Sequence, residues 1–281
     1  MSDELRTSLI ITTYNWPEAL RVVLDSVVKQ RKSPDEIIIA DDGSEEETAR
    51  AVDDVLGFSN IEWKHVRHAD HGVRQSRIKN LAVRHSCGTY LIFVDHDVIL
   101  HPRFVEDHVG MACKGSFLQG KRVLLSNRHT HRVVGTGTFN LPDPWTKGIR
   151  NRKNSIRWPL LGNLLSKRKR FESSLRGCNL SMFRDDFIRV DGFDETFDGS
   201  WGREDSDICY RLFHAGVQIR VLWFLALQYH LHHAVTANWD RKRLDAELDG
   251  NLKEKRVKAV KGFSRLSSEG EIIAASGDFL S

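Results

Sequence analysis

An α/β fold, with a mostly parallel central sheet flanked by helices, follows from three features of this sequence. Short apolar strands alternate with amphipathic helices through the first hundred residues. Acidic and hydroxyl side chains stand where those strands end. The longest apolar run, Val221–Leu227, has seven residues, far too few to cross a bilayer. Alternation of this kind pairs strands in parallel and covers the sheet with helices.

Each element carries its own signature. Ser8–Thr12 is a β-branched run and predicts a buried strand. Asn15 is the expected N-cap of the next helix, with Glu18 three residues on and Pro17 in the first turn. Leu20, Val23, Leu24, Val27 and Val28 mark its inner face. Glu36–Ala40 is the second strand; it runs into Asp41-Asp42-Gly43-Ser44 and a helix from Ser44 to Leu56. Ile61–Val66 predicts a third strand. Gly72–Ser86 predicts a helix with Val73, Ile78, Leu81 and Ala82 inward, closed by Gly88. Thr89–Val94 is the fourth strand, ending in Asp95-His96-Asp97. Further on, Glu204-Asp205-Ser206-Asp207 opens a helix with Ile208 and Leu212 inward and Gly216 at C′. From Asn238 to about Gly262, Trp239, Leu244, Leu248 and Leu252 space out as an amphipathic helix packing back on the domain. The last dozen residues are expected to fray.

The chain has 281 residues, 40% hydrophobic and 28% charged, which suits a folded globular protein and excludes a disordered or collagen-like one. Asp3 and Glu4 near the N-terminus speak against a secretory signal. Cys87, Cys113, Cys178 and Cys209 show no CxxC spacing and read as reduced, buried thiols. Basic residues number 42 against 38 acidic ones, and the excess is local. Between Pro144 and Phe171 stand Lys147, Arg150, Arg152, Lys153, Arg157, Lys167, Arg168, Lys169 and Arg170 with no acid among them. Trp158, Pro159, Leu160, Leu161, Leu164 and Leu165 lie in the same stretch. Such a segment suits an anionic membrane surface or an anionic lipid-linked ligand, or else is a solvated loop.

In a parallel sheet, ligands bind at the carboxyl ends of the strands, which brings Thr12–Asn15, Asp41–Ser44 and Asp95–Asp97 to one edge. The sequence has no GxGxxG and no GxxxxGK[ST], so neither dinucleotide fingerprint nor P-loop is present. What the edge offers is carboxylate. Asp95-x-Asp97 can present one Asp to a divalent cation and the other to a hydroxyl pair, and a diphosphate leaving group needs such a cation. For Asp41 and Asp42 alone, the simpler account is a helix N-terminus favouring negative charge.

The segments Ser8-Leu-Ile-Ile-Thr-Thr-Tyr-Asn15 and Asp35-Glu-Ile-Ile-Ile-Ala-Asp-Asp-Gly-Ser44 resemble the opening of family 2 glycosyltransferases. Gln75-Ser-Arg-Ile-Lys-Asn-Leu-Ala82 and Gly88-Thr-Tyr-Leu-Ile-Phe-Val-Asp-His-Asp97 are similar to that family's helix and DxD strand. Gly177-Cys-Asn-Leu-Ser-Met-Phe183, Gly192-Phe-Asp194 and Ser200-Trp-Gly-Arg-Glu-Asp-Ser-Asp207 resemble the C-terminal motif of β-1,4-galactosyltransferases and chondroitin-polymerase-like enzymes. Seven blocks in order, from Ser8 to about His233, imply a GT-A (nucleotide-diphospho-sugar transferase) fold. They also imply metal-dependent, inverting transfer of a sugar from a nucleotide diphosphate. Residues 1–281 then read as one domain. Residues 1–100 form a nucleotide-binding half, 101–235 an acceptor and metal half, and 236–281 a helical extension.

The resemblance also implies roles. Thr13, Tyr14 and Asp42 match positions contacting the nucleotide base, with Asp42 accepting from the base imide. Asp95 matches the ribose-side carboxylate and Asp97 the metal ligand. His96, between them, belongs to the donor side and points away from the metal. Lys79 and Asn80 match an Arg-Asn pair near the nucleotide; Lys keeps the cation but loses the bidentate fork, and Arg77 can share that work or lie on an exposed helix face. Asp205 matches the base, which must stay ionised and reach the acceptor hydroxyl. Asn179, Trp201, Gly202 and Glu204 match the sugar and acceptor side, with Trp201 as a stacking wall. The family usually reads Gly-Trp-Gly where this chain has Gly199-Ser200-Trp201-Gly202, a loop one residue longer. Of the thirteen histidines, His230 fits a metal ligand best and His233 is second choice, with Mn²⁺ or Mg²⁺ as the ion. The expected partners are a nucleotide-sugar donor, a UDP-sugar by family habit, and a glycan or lipid-linked saccharide acceptor in surface polysaccharide assembly. Peripheral contact with the inner face of the cytoplasmic membrane is expected, and nucleic acid is not. A nucleotidyltransferase, or a non-enzymatic anion- or nucleic-acid-binding protein using residues 144–171, is the competing reading.

Overall fold

The computed structural model describes residues 5–169, 177–234, 240–267 and 270–277. In chain order the elements are β1 (Thr7–Thr13), α1 (Pro17–Val28), β2 (Glu36–Asp41), α2 (Glu46–Leu56), β3 (Glu62–Arg67), α3 (Gln75–His85) and β4 (Tyr90–Asp95). Then come β5 (Val98–Leu100), α4 (Phe104–Met111), β6 (Ser116–Gln119), β7 (Arg122–Leu125), α5 (Asn127–Thr136), β8 (Ile149–Arg150), α6 (Pro159–Leu165) and β9 (Arg168–Lys169). The remainder is β10 (Leu180–Phe183), α7 (Arg184–Arg189), α8 (Glu204–His214), β11 (Gln218–Val221), β12 (Gln228–His230), α9 (Arg241–Lys253) and β13 (Glu271–Ala275).

The main sheet runs β13-β3-β2-β1-β4-β10-β6-β11-β9. β3, β2, β1 and β4 are parallel, in register through Ile10↔Ile38 and Ile10↔Phe93. β10 pairs antiparallel with both β4 and β6, so the parallel half hands over to a mixed half at that strand. A smaller sheet, β5-β12-β7-β8, lies beside it. Alternation along β1 and β2 sorts the core. Leu9, Ile11, Ile37 and Ile39 pack with Leu20, Val23, Leu24 and Val27 of α1. Ile10 and Ile38 point the other way, into a cluster with Ile78 and Leu81 of α3 and Ile208 and Leu212 of α8. Each such aliphatic side chain contributes roughly 1.5–3 kcal/mol on burial, so α3 and α8 are fixed on the sheet by their apolar faces. That fixing aims their polar ends at the strand edge.

Several local expectations are corrected. Asn15 does not cap α1: it has φ 44°, Trp16 stands at the cap, and the Asn15 Oδ1 accepts from Glu45 N–H instead. α3 begins at Gln75 rather than Gly72, where Asp42 receives Arg74 N–H (3.0 Å) and Asp198 receives Ser76 N–H (2.9 Å). Two carboxylates on the free amides of a helix start satisfy donors the helix cannot. Gly216, at φ 84°, follows α8 as expected. α9 buries Leu244 and Leu248 but stops at Lys253. The final residues do not all fray: β13 pairs antiparallel with β3, and Ser276 N–H donates to Trp63 O (2.9 Å). Cys178 and Cys209 are buried, Cys113 is half-buried and Cys87 is exposed, all four as free thiols. Asp3, Glu4, Arg170, Asn238 and Trp239 lie outside the described residues. No helix among the described residues is long and apolar enough to cross a membrane.

Candidate active site

The carboxyl ends of β1, β2 and β4 meet the start of α8 and the end of β12. Asp97 follows β4 by two residues, and His230 closes β12. His230 Nε2 lies 3.2 Å and His233 Nε2 3.1 Å from Asp97 Oδ2. The ligand atoms of the three residues fall within 4.8 Å of one another. First and second choices of histidine therefore come to the same carboxylate. Burial alone would raise the Asp97 pKa, but the His233 hydrogen bond and the charges of His230, His96 and His233 outweigh it and hold Asp97 at about 2. The His233 pKa is raised by its hydrogen bond to Asp97, whereas burial lowers that of His230. Asp97 Oδ1 is buried with no hydrogen-bond partner. Two imidazoles and one ionised carboxylate with an unsatisfied oxygen fit a divalent cation.

His96 turns away from this cluster, with Nδ1 3.2 Å from Thr12 O and its ring edge-on to Trp16. Asp95 ends β4. Its pKa is pushed up to about 7, first by burial and then by the charge of Asp97, against the opposing charge of Lys79.

On the α8 side, Glu204 and Asp205 share Lys79. The ammonium is 3.1 Å from Glu204 Oε1 and 3.1 Å from Asp205 Oδ1. It also sits 5.0 Å from the Phe193 ring centroid. Burial would lower the Lys79 pKa, but Asp205, Glu204 and Asp95 raise it, so it stays cationic. The Glu204 pKa is raised by burial and then by Asp205. Asp205 Oδ2 accepts from Gly177 N–H (2.8 Å), and a Cβ at Gly177 would run into that carboxylate. The Asp205 side chain keeps 24% of its surface open, against 6% for Glu204, so Asp205 is the carboxylate a substrate hydroxyl can reach. Trp201 and Gly202 lie half-buried in the turn before α8, with Gly202 at φ 99° and Arg203 at φ 74°.

Other expected site residues have different work. Lys79 holds the α8 carboxylates. Asn80 is fully buried; its Nδ2 donates to Phe193 O and its Oδ1 accepts from Phe193 N–H, both at 2.9 Å, so neither polar group faces a nucleotide. Arg77 is neither on an exposed face nor beside Lys79: it is buried and reaches Glu195 (3.8 Å) and Ser267 Oγ (2.8 Å). Asn179 donates to Ala226 O and accepts at Oδ1 opposite His108 Nε2, both at 2.9 Å. The Asp42 carboxylate is engaged by His68 Nε2 (2.7 Å) and by Arg74 N–H. Thr13 keeps a buried Oγ1 without a partner, and Tyr14 O–H donates to Asp70 (3.0 Å). His68 and Gly177 were not singled out from sequence: a lone histidine after a strand and the first residue of a motif carry no periodic signal.

The sequence model of Glycosyl transferase family 2 matches residues 8–174, and that described as the N-terminal domain of galactosyltransferase matches residues 163–234. The chondroitin synthase of Escherichia coli is 25% identical over 241 residues, covering 79% of this chain and 34% of that protein. A validoxylamine A glucosyltransferase of Streptomyces hygroscopicus subsp. limoneus is 28% identical over 233 residues, 76% of this chain and 49% of that one. The chain thus spans a third to a half of the length of these relatives. Among solved structures, S. aureus TarS 1-349 in complex with UDP-GlcNAc aligns with a TM-score of 0.58 at 15% identity, over 83% of this chain and 60% of that one. The mannosyltransferase PcManGT from Pyrobaculum calidifontis, in complex with GDP-Man and Mn²⁺, aligns with a TM-score of 0.56 at 17% identity, over 82% and 58%. The fold is GT-A.

Proposed function

The chain belongs to glycosyl transferase family 2, and from that premise we propose that it transfers a sugar, with inversion, from a nucleotide diphosphate sugar to a saccharide hydroxyl. The donor is a UDP-sugar and the acceptor a glycan or lipid-linked saccharide of a surface polysaccharide. One observation carries the reading: a metal-type cluster at Asp97 and a reachable carboxylate at Asp205 face one strand edge, joined electrostatically through Asp95 and Lys79. Asp97, His230 and His233 would hold a divalent cation, whose charge screens the leaving diphosphate. Asp205 accepts the proton of the acceptor hydroxyl as its oxygen bonds to the anomeric carbon and the bond to the diphosphate breaks. Lys79 keeps negative charge on the α8 side balanced while the base works. Thr13, Tyr14 and Asp95 flank the donor, and Asp42 could take a base imide only by sharing its oxygens with His68 and Arg74. Trp201, Gly202 and Glu204 face the sugar.

The test is calorimetric titration with UDP and with GDP, each with and without Mn²⁺. UDP binding that requires the metal is expected; absence of binding by either nucleotide under both conditions would overturn the reading.

The site also has an apolar neighbour that supports peripheral attachment to the cytoplasmic face of an anionic membrane. Leu160 and Leu164 of α6 are 81% and 61% exposed, Trp158 is exposed before them, and Lys167 and Lys169 follow. Aliphatic groups flanked by lysines insert between anionic headgroups. Co-sedimentation with phosphatidylglycerol vesicles but not phosphatidylcholine vesicles, abolished by Leu160→Asp, is the expected result.

A further inference from the structure

A cavity of about 190 Å³ opens beside Cys178. Lys121, Arg122 and Lys153 line it with Trp223, Cys178 and Gln228, and no carboxylate does. Three cations around one small space repel one another unless something holds them there. Trp223 holds two of them, with Lys121 Nζ 4.7 Å and Lys153 Nζ 5.1 Å from its ring centroid. Arg122, at the start of β7, approaches Cys178 Sγ (3.9 Å) through Nη1, while its buried Nε has no partner. Gln228 is fully buried; its Nε2 faces Cys178 Sγ at 3.3 Å and its Oε1 is unpaired. Buried polar groups left unpaired cost free energy, which a ligand recovers when its oxyanion accepts from Arg122 Nε and a sugar hydroxyl donates to Gln228 Oε1.

The chain places this cavity against the reacting groups. Cys178 follows Gly177, whose N–H holds Asp205, and Gln228 precedes His230 by two residues on β12. Lys153 brings part of the basic segment to it, while Leu160 and Leu164 of that segment face outward. Negative charge at the candidate catalytic centre and positive charge in the adjoining cavity are therefore segregated over neighbouring residues.

We propose that the cavity binds an anionic group, a phosphate or a carboxylate, carried by the acceptor saccharide close to the hydroxyl that receives the sugar. This rests on the transferase reading and narrows its acceptor to a charged sugar. Arg122 offers a planar fork suited to either oxyanion, and the two ammoniums are held by the indole before the ligand arrives.

The test is calorimetric titration of the full chain with glucose phosphate, glucuronate and glucose, in the unaltered protein and in Lys153→Glu. Lys153 is exposed, so this charge reversal leaves the core untouched. Expected is binding of a charged sugar and none of glucose, with Lys153→Glu weakening the charged sugar by about tenfold or more and leaving UDP–Mn²⁺ affinity unchanged. Preference for the phosphate or for the uronate identifies which anion the acceptor carries. Equal binding of glucose, or charged-sugar binding indifferent to Lys153→Glu, would overturn the proposal. So would a parallel loss of UDP–Mn²⁺ affinity, which would assign the cations to the donor diphosphate. Charged-sugar binding in a protein that takes no nucleotide would retain the anion site and overturn the transferase reading instead.

Discussion

Lys79 Nζ lies 3.1 Å from Asp205 Oδ1, so the candidate base is the more open arm of an ion pair whose cation is buried on a different helix. The same ammonium neutralises Glu204 at 3.1 Å. Lys79→Met would leave two carboxylates facing each other without a cation, and breaking a buried pair from one side costs about 3–5 kcal/mol. Because the Lys79 pKa is raised above its ordinary 10.5, its contribution is complete below that pH and is lost only as the pH rises through the still higher folded value. Urea unfolding at neutral pH is therefore expected to show this deficit for Lys79→Met.

Asp205→Asn keeps the shape of the side chain and removes the proton acceptor. Sugar transfer is expected to fall by about 10²–10⁴-fold, while calorimetry with UDP and Mn²⁺ gives unchanged affinity. Unchanged transfer would assign the base elsewhere.

Metal affinity should depend on pH through His233. A protonated imidazole cannot coordinate, and the Asp97 hydrogen bond raises the His233 pKa above its ordinary 6.5. Mn²⁺ affinity is expected to weaken as the pH falls through the raised His233 pKa, while Asp97, held at about 2, stays ionised. Calorimetric titration with Mn²⁺ across that range checks the sign, and His233→Gln is expected to flatten the dependence.

Asn80 separates a structural role from a donor-binding one. Asn80→Ala removes both bonds to the Phe193 backbone and leaves a buried N–H and C=O unpaired, at a cost of about 1–3 kcal/mol. A lowered melting temperature with unchanged UDP affinity is expected.

His108 ties the interior to acid stability. It is fully buried between Ser181 Oγ (2.8 Å) and Asn179 Oδ1 (2.9 Å), and burial lowers its pKa from 6.5 to about 4. A histidine held neutral supports the fold above its unfolded pKa, and that support is lost as the pH falls from 6.5 towards 4, on the order of 3 kcal/mol in all. Denaturant midpoints measured across that interval should fall less steeply in His108→Gln.

The parallel half of the sheet was legible because Ile10, Ile11 and Ile37–Ile39 must be buried on both faces, and a continuous β-branched run says so. The α8 start was legible because Glu204, Asp205 and Asp207 suit a helix N-terminus, whatever else they do. The small sheet was not, since strands as short as Val98–Leu100 and Ile149–Arg150 carry no measurable period. The partners of Asn80 and Asn179 were not legible for a chemical reason: an amide that binds a sugar hydroxyl binds a backbone N–H and C=O equally well, and only the packing of Phe193 or Ala226 decides which. Asp42 shows the same limit. The carboxylate does favour a helix start, but it is that of α3, brought alongside by the parallel strands, not the α2 start that follows it in sequence.

Gly177 contributes no side chain, yet any side chain there would collide with Asp205. Its backbone N–H fixes one carboxylate oxygen, and the vacant volume at its Cα accommodates the other. The placement of a negative charge is thus set in part by a missing carbon. Gly177→Ala alters neither charge, proton donor nor apolar packing, but it would push Asp205 out of line. At this position the tolerance to substitution is closed by volume alone, and a methyl group would act on transfer like a change to the candidate base itself.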